Sequence, residues 1–134
     1  VRPDLARLGP GFGFGPRRAL LVEALELGPR ECPSPRYDPA EYPDDYVKFF
    51  LPGLERVLPR ERLRVLGKVG VAYGFTVENS YVEDRATGRA FFLAAVIHTN
   101  ANGTLNDGVY EYETVALPFL ADLAEAVARD LWGG

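Results

Sequence analysis

The residue types best suited to chemistry lie between Leu66 and Val71, where a lysine interrupts a strand of leucine, valine and glycine. A buried, unpaired lysine is costly, so Lys68 predicts a strand that lines a cleft. Gly70 has no side chain to keep a ligand away, which leaves the next backbone N–H, that of Val71, free to face the cleft. An ammonium group beside a backbone donor suits a developing oxyanion. The alternative is an exposed lysine that protects an edge strand from aggregation.

Other polar groups are predicted to be structural. Glu78, Glu83 and Asp84 could take part in acid–base chemistry, but on a hairpin we expect them to face outward. His98 is expected in the core or at a strand end, because one histidine cannot form a metal site. Cys32, the only cysteine, excludes an internal disulfide and a multi-cysteine zinc site, and it has no base near it in sequence.

Three further clusters have two interpretations each. Asn106, Asp107 and Glu111 offer too few oxygen ligands for calcium, which favours a solvated loop. The glycine-rich loop at 11–15 precedes a helix, but without a following Lys-Ser or Lys-Thr it favours a connector over a phosphate site. Five aromatic residues stand among prolines: Tyr37, Tyr42, Tyr46, Phe49 and Phe50. They either pin this segment to the domain or rim a substrate cleft. No metal and no cofactor is predicted.

The elements that must position these residues follow from periodicity. Alternating and apolar runs predict strands at 63–71, 75–82 and 90–99, and the polar turn at 84–89 makes the last two an antiparallel hairpin. The third strand is apolar on both faces, which predicts a central position covered on both sides. Apolar residues at three- and four-residue spacing predict a helix at 114–132.

The first half is predicted to contain short helices at 17–27 and 45–50, joined by a rigid proline-rich connection at 30–43. The predicted fold class is therefore α+β: a three-stranded antiparallel sheet preceded by short helices and covered by a long C-terminal helix. The length predicts one domain, or an incomplete part of one, over 1–134, with a helical and loop segment at 1–58 and the sheet with its last helix at 59–134.

The composition excludes several classes of protein. The 134 residues are 47% hydrophobic and 25% charged, which suffices for a folded core. No run of about 18 apolar residues occurs, so no membrane-spanning helix is predicted. The net charge of −4, the isoelectric point near 5.0 and the absence of a basic stripe argue against a nucleic-acid partner.

The triplet Lys68-Val69-Gly70 resembles the Lys-Thr/Ser-Gly triplet on the strand beside the active site of penicillin-recognising serine hydrolases, which include class A β-lactamases. The order of elements is similar: a triplet strand, its hairpin partner, a further strand and the last helix. Other segments resemble a bacterial subgroup of class A β-lactamase-related serine hydrolases: Pro29-Arg30-Glu31, Tyr37-Asp38-Pro39, Tyr46-Val47-Lys48-Phe49, Val71-Ala72-Tyr73-Gly74-Phe75, Asn79, Tyr81-Val82-Glu83-Asp84, Leu105-Asn106-Asp107 and Tyr110-Glu111-Tyr112.

The resemblance implies a β-lactamase- or transpeptidase-like fold that acts on an amide or ester through an acyl-enzyme. It implies catalytic roles for Lys68 and for Val71, whose backbone would be the oxyanion donor, and substrate contacts for Val69 and Gly70. The implied substrate is a small or peptide-like molecule, and the implied location is the periplasm or the outside of the cell. Valine at 69 cannot donate the hydrogen bond of the family's Thr or Ser to a substrate carboxylate, which favours substrates other than β-lactams.

The family nucleophile is the serine of Ser-x-x-Lys, and neither Ser34 nor Ser80 lies in such a motif. Ser-Asp-Asn is also absent. We therefore expect the C-terminal portion of such a hydrolase, inactive alone. Alternatives are a non-catalytic α+β ligand-binding or protein-interaction module, or a gene remnant without selected activity. In the resembled fold an N-terminal strand pairs with 90–99; without it, this strand presents an open edge for self-association.

Overall fold

The computed structural model describes residues 15–133 of the chain. Its centre is an antiparallel sheet with the strand order β1-β2-β3. The strands are β1 (Leu63–Ala72), β2 (Phe75–Asp84) and β3 (Ala90–His98), and the α-helices are α1 (Gly15–Glu26), α2 (Leu51–Glu55) and α3 (Leu117–Trp132). The predicted α+β class, with a three-stranded sheet and a C-terminal helix, is confirmed. The glycine-rich loop at 11–15 lies outside the described residues except for its last glycine.

The hydrophobic core lies between one face of the sheet and the helices α2 and α3. On α3, Leu120, Ala124 and Ala128 recur every four residues and form one buried stripe. The helices α2 and α3 approach closely, since a Cβ atom on Gly53 would lie 1.7 Å from the carbonyl oxygen of Ala121. The fully buried residues Phe50, Leu51, Leu54, Leu63 and Val82 fill the space between these helices and the sheet.

Two predicted helix boundaries were wrong. The predicted helix covered 45–50. The structure instead has a 3₁₀ turn at Asp44–Val47, and the α-helix α2 begins only at Leu51, one residue after the predicted helix ended. The reason is that Pro52 falls in the first helical turn, where its missing N–H has no intrahelical partner in any case. Before α3, the segment Tyr112–Ala116 forms a π-helical turn.

The hairpin between β1 and β2 is tight. Tyr73 and Gly74 both have positive φ angles, 50° and 85°, as a two-residue type I′ turn requires. The Gly74 N–H donates to the Tyr112 hydroxyl at 2.7 Å, and its carbonyl accepts a hydrogen bond from the Thr99 N–H at 2.9 Å. These bonds attach the tip of the hairpin to the segment that leads into α3.

The third strand is not central, so that prediction was wrong. Among residues 15–133, β3 pairs with β2 alone and forms one edge of the sheet. Its apolar residues divide between two environments: Phe91 and Leu93 pack against the core, whereas Phe92 and Val96 are 72% and 63% exposed on the other face. His98 ends the strand and is exposed, with its ring 4.3 Å from that of Phe75.

The carboxylates of β2 are buried, contrary to the prediction that they are exposed. Glu78 and Asp84 lie on the core face of the strand, and Glu83 lies on the opposite face beside Arg64. Asp84 accepts two hydrogen bonds from Arg62, at 2.6 and 3.0 Å, and this guanidinium lowers the pKa of the Asp84 carboxyl. Ion pairs and hydrogen bonds of this kind make inward-facing carboxylates tolerable in an α+β core.

Candidate functional site

The predicted site lies on the outer edge of β1, the side of the strand that faces away from β2. One hydrogen bond shows which backbone groups of β1 point toward that edge. β1 pairs only with β2 among residues 15–133. Immediately before β1, the Arg62 carbonyl accepts a hydrogen bond from the Arg85 N–H at 2.7 Å. Backbone groups alternate in direction along an antiparallel strand, so even-numbered residues of β1 bond to β2 and odd-numbered residues point away. The Val65 carbonyl is consistent with this assignment: Val65 is odd-numbered, and its carbonyl accepts a hydrogen bond from Lys48 Nζ, outside the sheet, at 2.9 Å.

The same alternation applies to the predicted site residues, since the β1–β2 register is continuous. Val69 and Val71 direct their backbone N–H and C=O groups to the open edge, in the direction expected for the Val71 N–H. Lys68 and Gly70 use their backbone toward β2. The Lys68 side chain is exposed, and its Nζ donates to the carbonyl of Val69 at 2.5 Å. A Cβ atom on Gly70 would lie 3.2 Å from a Val77 methyl group, so Gly70 also relieves crowding within the sheet.

Two clefts follow this edge and meet at Val69. The first, here the tyrosine cleft, has a volume of about 620 Å³ and lies between α1 and the edge strand. Its walls include Gly67, Lys68, Val69, Cys32, Tyr37, Tyr42 and Tyr46. The second, here the hairpin cleft, has a volume of about 450 Å³. Its walls include Val69, Gly70, Val71, Asp45, Tyr46, Phe49, Tyr112, Glu113 and Leu117. A ligand along β1 would therefore contact both.

Three of the predicted aromatic residues form one wall of the tyrosine cleft. The Tyr42 ring packs edge-to-face against Tyr37 and Tyr46, with ring centroids 5.2 and 5.0 Å apart. Such pairs contribute about 0.5–1.5 kcal/mol beyond simple burial. Phe50 is instead fully buried in the core, and Phe49 packs in the core while also lining the hairpin cleft. The aromatic group thus both anchors the connection and lines a cleft.

The buried lysine of this protein is Lys48, to which the sequence analysis gave no role. Its side chain is 1% exposed, and Nζ donates to the carbonyls of Leu25 and Val65, each at 2.9 Å. Burial lowers the pKa of Lys48, opposed by the nearby negative charge of Glu78. Lys48 therefore joins the end of α1 and the edge strand to the segment before α2. It closes the β1 edge at Val65 and also lines the tyrosine cleft.

A buried hydrogen-bonded cluster, centred on the single carboxylate of Glu78, lies on the core face of the sheet. Glu78, which pairs with Val69 across the β1–β2 ladder, accepts hydrogen bonds from the Phe50 N–H at 2.8 Å and from the Ser80 hydroxyl. Burial raises the pKa of Glu78. A Cβ atom on Gly67 would lie 2.1 Å from Ser80 Oγ, so a larger residue at 67 would displace the Ser80 hydroxyl from this cluster.

Neither serine is placed for attack at the Lys68 edge. Ser80 is 3% exposed and points to the core face, and its hydroxyl donates a hydrogen bond to the Glu78 carboxylate. Ser34 is exposed in the proline-rich connection, where its carbonyl accepts a hydrogen bond from Cys32 Sγ at 3.6 Å. Within residues 15–133, therefore, no serine shares the surface of the Lys68 side chain.

The described part of the chain also has no group of three His, Cys, Asp or Glu side chains that could hold a metal ion. No helix in it is long and apolar enough to cross a bilayer. A groove of about 640 Å³ lies between α1 and the outer sheet face, but Lys68 and Val71 do not line it.

Two residues that sequence reasoning missed have signals that can be recognised afterwards. Lys48 stands between Val47 and two phenylalanines, an apolar context that is unusual for a surface lysine. Glu78 and Val82 are four residues apart on one strand, so their side chains lie on the same face. An inward-facing Val82 therefore implied an inward-facing Glu78. Comparisons with models of known protein families, with curated proteins and with solved structures found no match to this chain.

Proposed function

We propose that the outer edge of β1 binds a peptide-like amide or ester and forms one wall of the active-site cleft of a β-lactamase-related serine hydrolase. The observation that carries the proposal is the outward direction of the Val69 and Val71 backbone groups into two adjoining clefts. Exposed strand edges bind extended ligands through main-chain hydrogen bonds. The triplet Lys68-Val69-Gly70 supports the same assignment through its resemblance to that family.

In this proposal the Val71 N–H donates to the carbonyl oxygen of the substrate, and the Lys68 ammonium lies close to the same centre. Both groups favour the negative charge that develops when a nucleophile attacks the carbonyl carbon. The Lys68 side chain is exposed, and within residues 15–133 it donates to the carbonyl of its neighbour Val69, so it can turn toward a ligand. The attacking serine belongs to a segment not contained in residues 1–134. An acyl-ester then forms, the amine or alcohol leaves, and water completes the hydrolysis.

A second function, a non-catalytic ligand-binding module, is favoured by the positions of the serines. Ser80 is buried and bonded to Glu78, and Ser34 lies on the proline-rich connection. Both functions require the β1 edge to bind a ligand. The two functions differ in what happens when a segment with Ser-x-x-Lys is joined to the chain. A hydrolase should then turn over nitrocefin or p-nitrophenyl acetate, and Lys68→Ala should abolish that turnover. A binding module should show no turnover.

Ligand binding is tested by calorimetry on the full chain with N-acetyl-dialanine methylamide, an uncharged peptide-like probe. Val71→Pro removes the outward N–H without removing a bond to β2, because proline is tolerated where an edge N–H faces away from the sheet. We expect it to weaken binding by about fivefold, the value of one net hydrogen bond. Val71→Ala keeps the N–H and should bind like the wild type. Equal affinities of the two variants, or no binding at millimolar concentration, would contradict the proposal.

A further inference from the structure

The two edges of the sheet differ in their protection. At the β1 edge, Lys48 covers the Val65 carbonyl and Lys68 extends from the middle of the strand. Over its nine residues, β3 (Ala90–His98) contains no charged residue and no proline, and its pairing with β2 is continuous, without a bulge. No other strand of the described residues pairs with its outer side. Natural sheets protect exposed edges with charge, proline or bulges. An edge with none of these is suited to receive another strand.

Two hydrogen bonds fix which backbone groups of β3 are available. Just before the strand the Arg89 carbonyl accepts a hydrogen bond from the Asp84 N–H, and just after it the Thr99 N–H donates to the Gly74 carbonyl, each at 2.9 Å. Both residues are odd-numbered, so the odd-numbered residues of β3 use their backbone toward β2. The even-numbered residues therefore direct their N–H and C=O groups to the open edge.

The even-numbered residues can pair with the same residues of a second, antiparallel copy. They are Ala90, Phe92, Ala94, Val96 and His98. In an antiparallel pair of two copies centred on Ala94, each Ala94 faces its equivalent and each Phe92 faces Val96 of the second copy. An aromatic residue opposite a β-branched residue is a stabilising cross-strand pair. No charged residue faces another in this register.

We propose that β3 binds the β3 strand of a second copy in this register, joining two sheets into one across a two-fold axis. Roughly ten backbone hydrogen bonds would form along the edge. The arrangement would also cover part of Phe92 and Val96, which are 72% and 63% exposed on the same face. The partner is a second copy because the edge is complementary to itself, as a two-fold interface requires.

Disulfide formation tests the register directly. In a background of Cys32→Ser, Ala94→Cys places two thiols in a hydrogen-bonded pair with Cα atoms about 5.5 Å apart, within the range for a disulfide. The matched control is Ala95→Cys, because Ala95 faces Leu93 of the second copy and its two equivalents lie about 8 Å apart. We expect on the order of tenfold more cross-linked dimer from the first variant under mild oxidation. Equal cross-linking of both variants would overturn the register.

Sedimentation of the full chain tests the association itself. The wild type should pass from monomer to dimer between low and high micromolar concentration. Ala94→Pro should remain a folded monomer, because the N–H that it removes points away from β2. Circular dichroism establishes whether this variant is folded. A wild type that stays monomeric at high micromolar concentration would overturn the proposal, as would a folded Ala94→Pro variant that still dimerises.

Discussion

The replacement of Lys48 by methionine tests the structural basis of the β1 edge. Lys48 is 1% exposed and its ammonium donates to the Leu25 and Val65 carbonyls, each at 2.9 Å. Methionine fills nearly the same volume but donates no hydrogen bond, so both carbonyls lose a partner. It also leaves the buried Glu78 carboxylate without the nearby positive charge of Lys48.

The magnitude follows from opposing contributions. A hydrogen bond from a charged donor contributes about 1.5–3 kcal/mol, and two are lost. Burying the lysine itself is unfavourable, as its lowered pKa indicates, and methionine removes that penalty. We therefore expect the free energy of unfolding to fall by about 3 kcal/mol, a large part of the 5–15 kcal/mol that is typical of a domain. Lys68→Met, at an exposed position, should change it by less than about 0.5 kcal/mol.

Urea denaturation followed by circular dichroism measures both variants, with equal slopes expected because the folded surface is nearly unchanged. Combining Lys48→Met with Glu78→Gln should lose less than the sum of the single changes, since the two charges interact across the buried site. A loss below about 1 kcal/mol for Lys48→Met, or equal losses for the two lysines, would refute the reasoning.

Two further outcomes follow from the buried polar groups. The pKa of Asp84 is lowered in the folded state by Arg62, so its stabilisation is present above the unfolded value of about 3.9 and is lost as the pH falls toward the folded pKa. Asp84→Asn should therefore flatten the acid side of the stability profile, measured by urea denaturation at a series of pH values. Gly67→Ala should lower stability by about 1–3 kcal/mol through contact with Ser80, and Ser80→Ala in the same chain should restore part of it. A Gly67→Ala variant as stable as the wild type would contradict that packing.

The strands and the last helix could be predicted because each depends on residues that are near in sequence. Apolar runs separated by turn residues identify all three strands, and the repeat of Leu120, Ala124 and Ala128 identifies α3. The order of strands in the sheet was harder. A strand that is apolar on both faces fits a central position as well as an edge whose outer face is exposed, and β3 is the second case.

The choice of sheet face could not be predicted from β2 alone. Phe75, Val77 and Tyr81 make one face of this strand more apolar than the other, yet Glu78 and Val82 on the opposite face are buried. Which face of β2 is buried depends on the helices that pack on the sheet, and these helices lie elsewhere in the sequence. Local hydrophobic alternation is therefore a poor guide where buried polar groups are satisfied by hydrogen bonds.

The candidate site was predictable only in part. The outward direction of the Val71 N–H was expected from Lys68 and Gly70, and the pairing of β1 agrees with it. The role of Lys48 could not be foreseen, because its partners are carbonyls at Leu25 and Val65, 23 and 17 residues away. A backbone carbonyl has no residue-type signal, so a sequence pattern cannot reveal such contacts.

The most direct test of the central claim, that the β1 edge binds a peptide-like ligand, is a titration of the ¹⁵N-labelled chain with N-acetyl-dialanine methylamide, followed by the amide resonances. An added strand bonds only to outward-directed groups. The amides of Val69 and Val71 should therefore shift strongly, and those of Lys68 and Gly70, which face β2, should shift much less. Shifts that are equal along 68–71, that are confined to β3, or that are absent at millimolar ligand would contradict the assignment of this edge as the binding site.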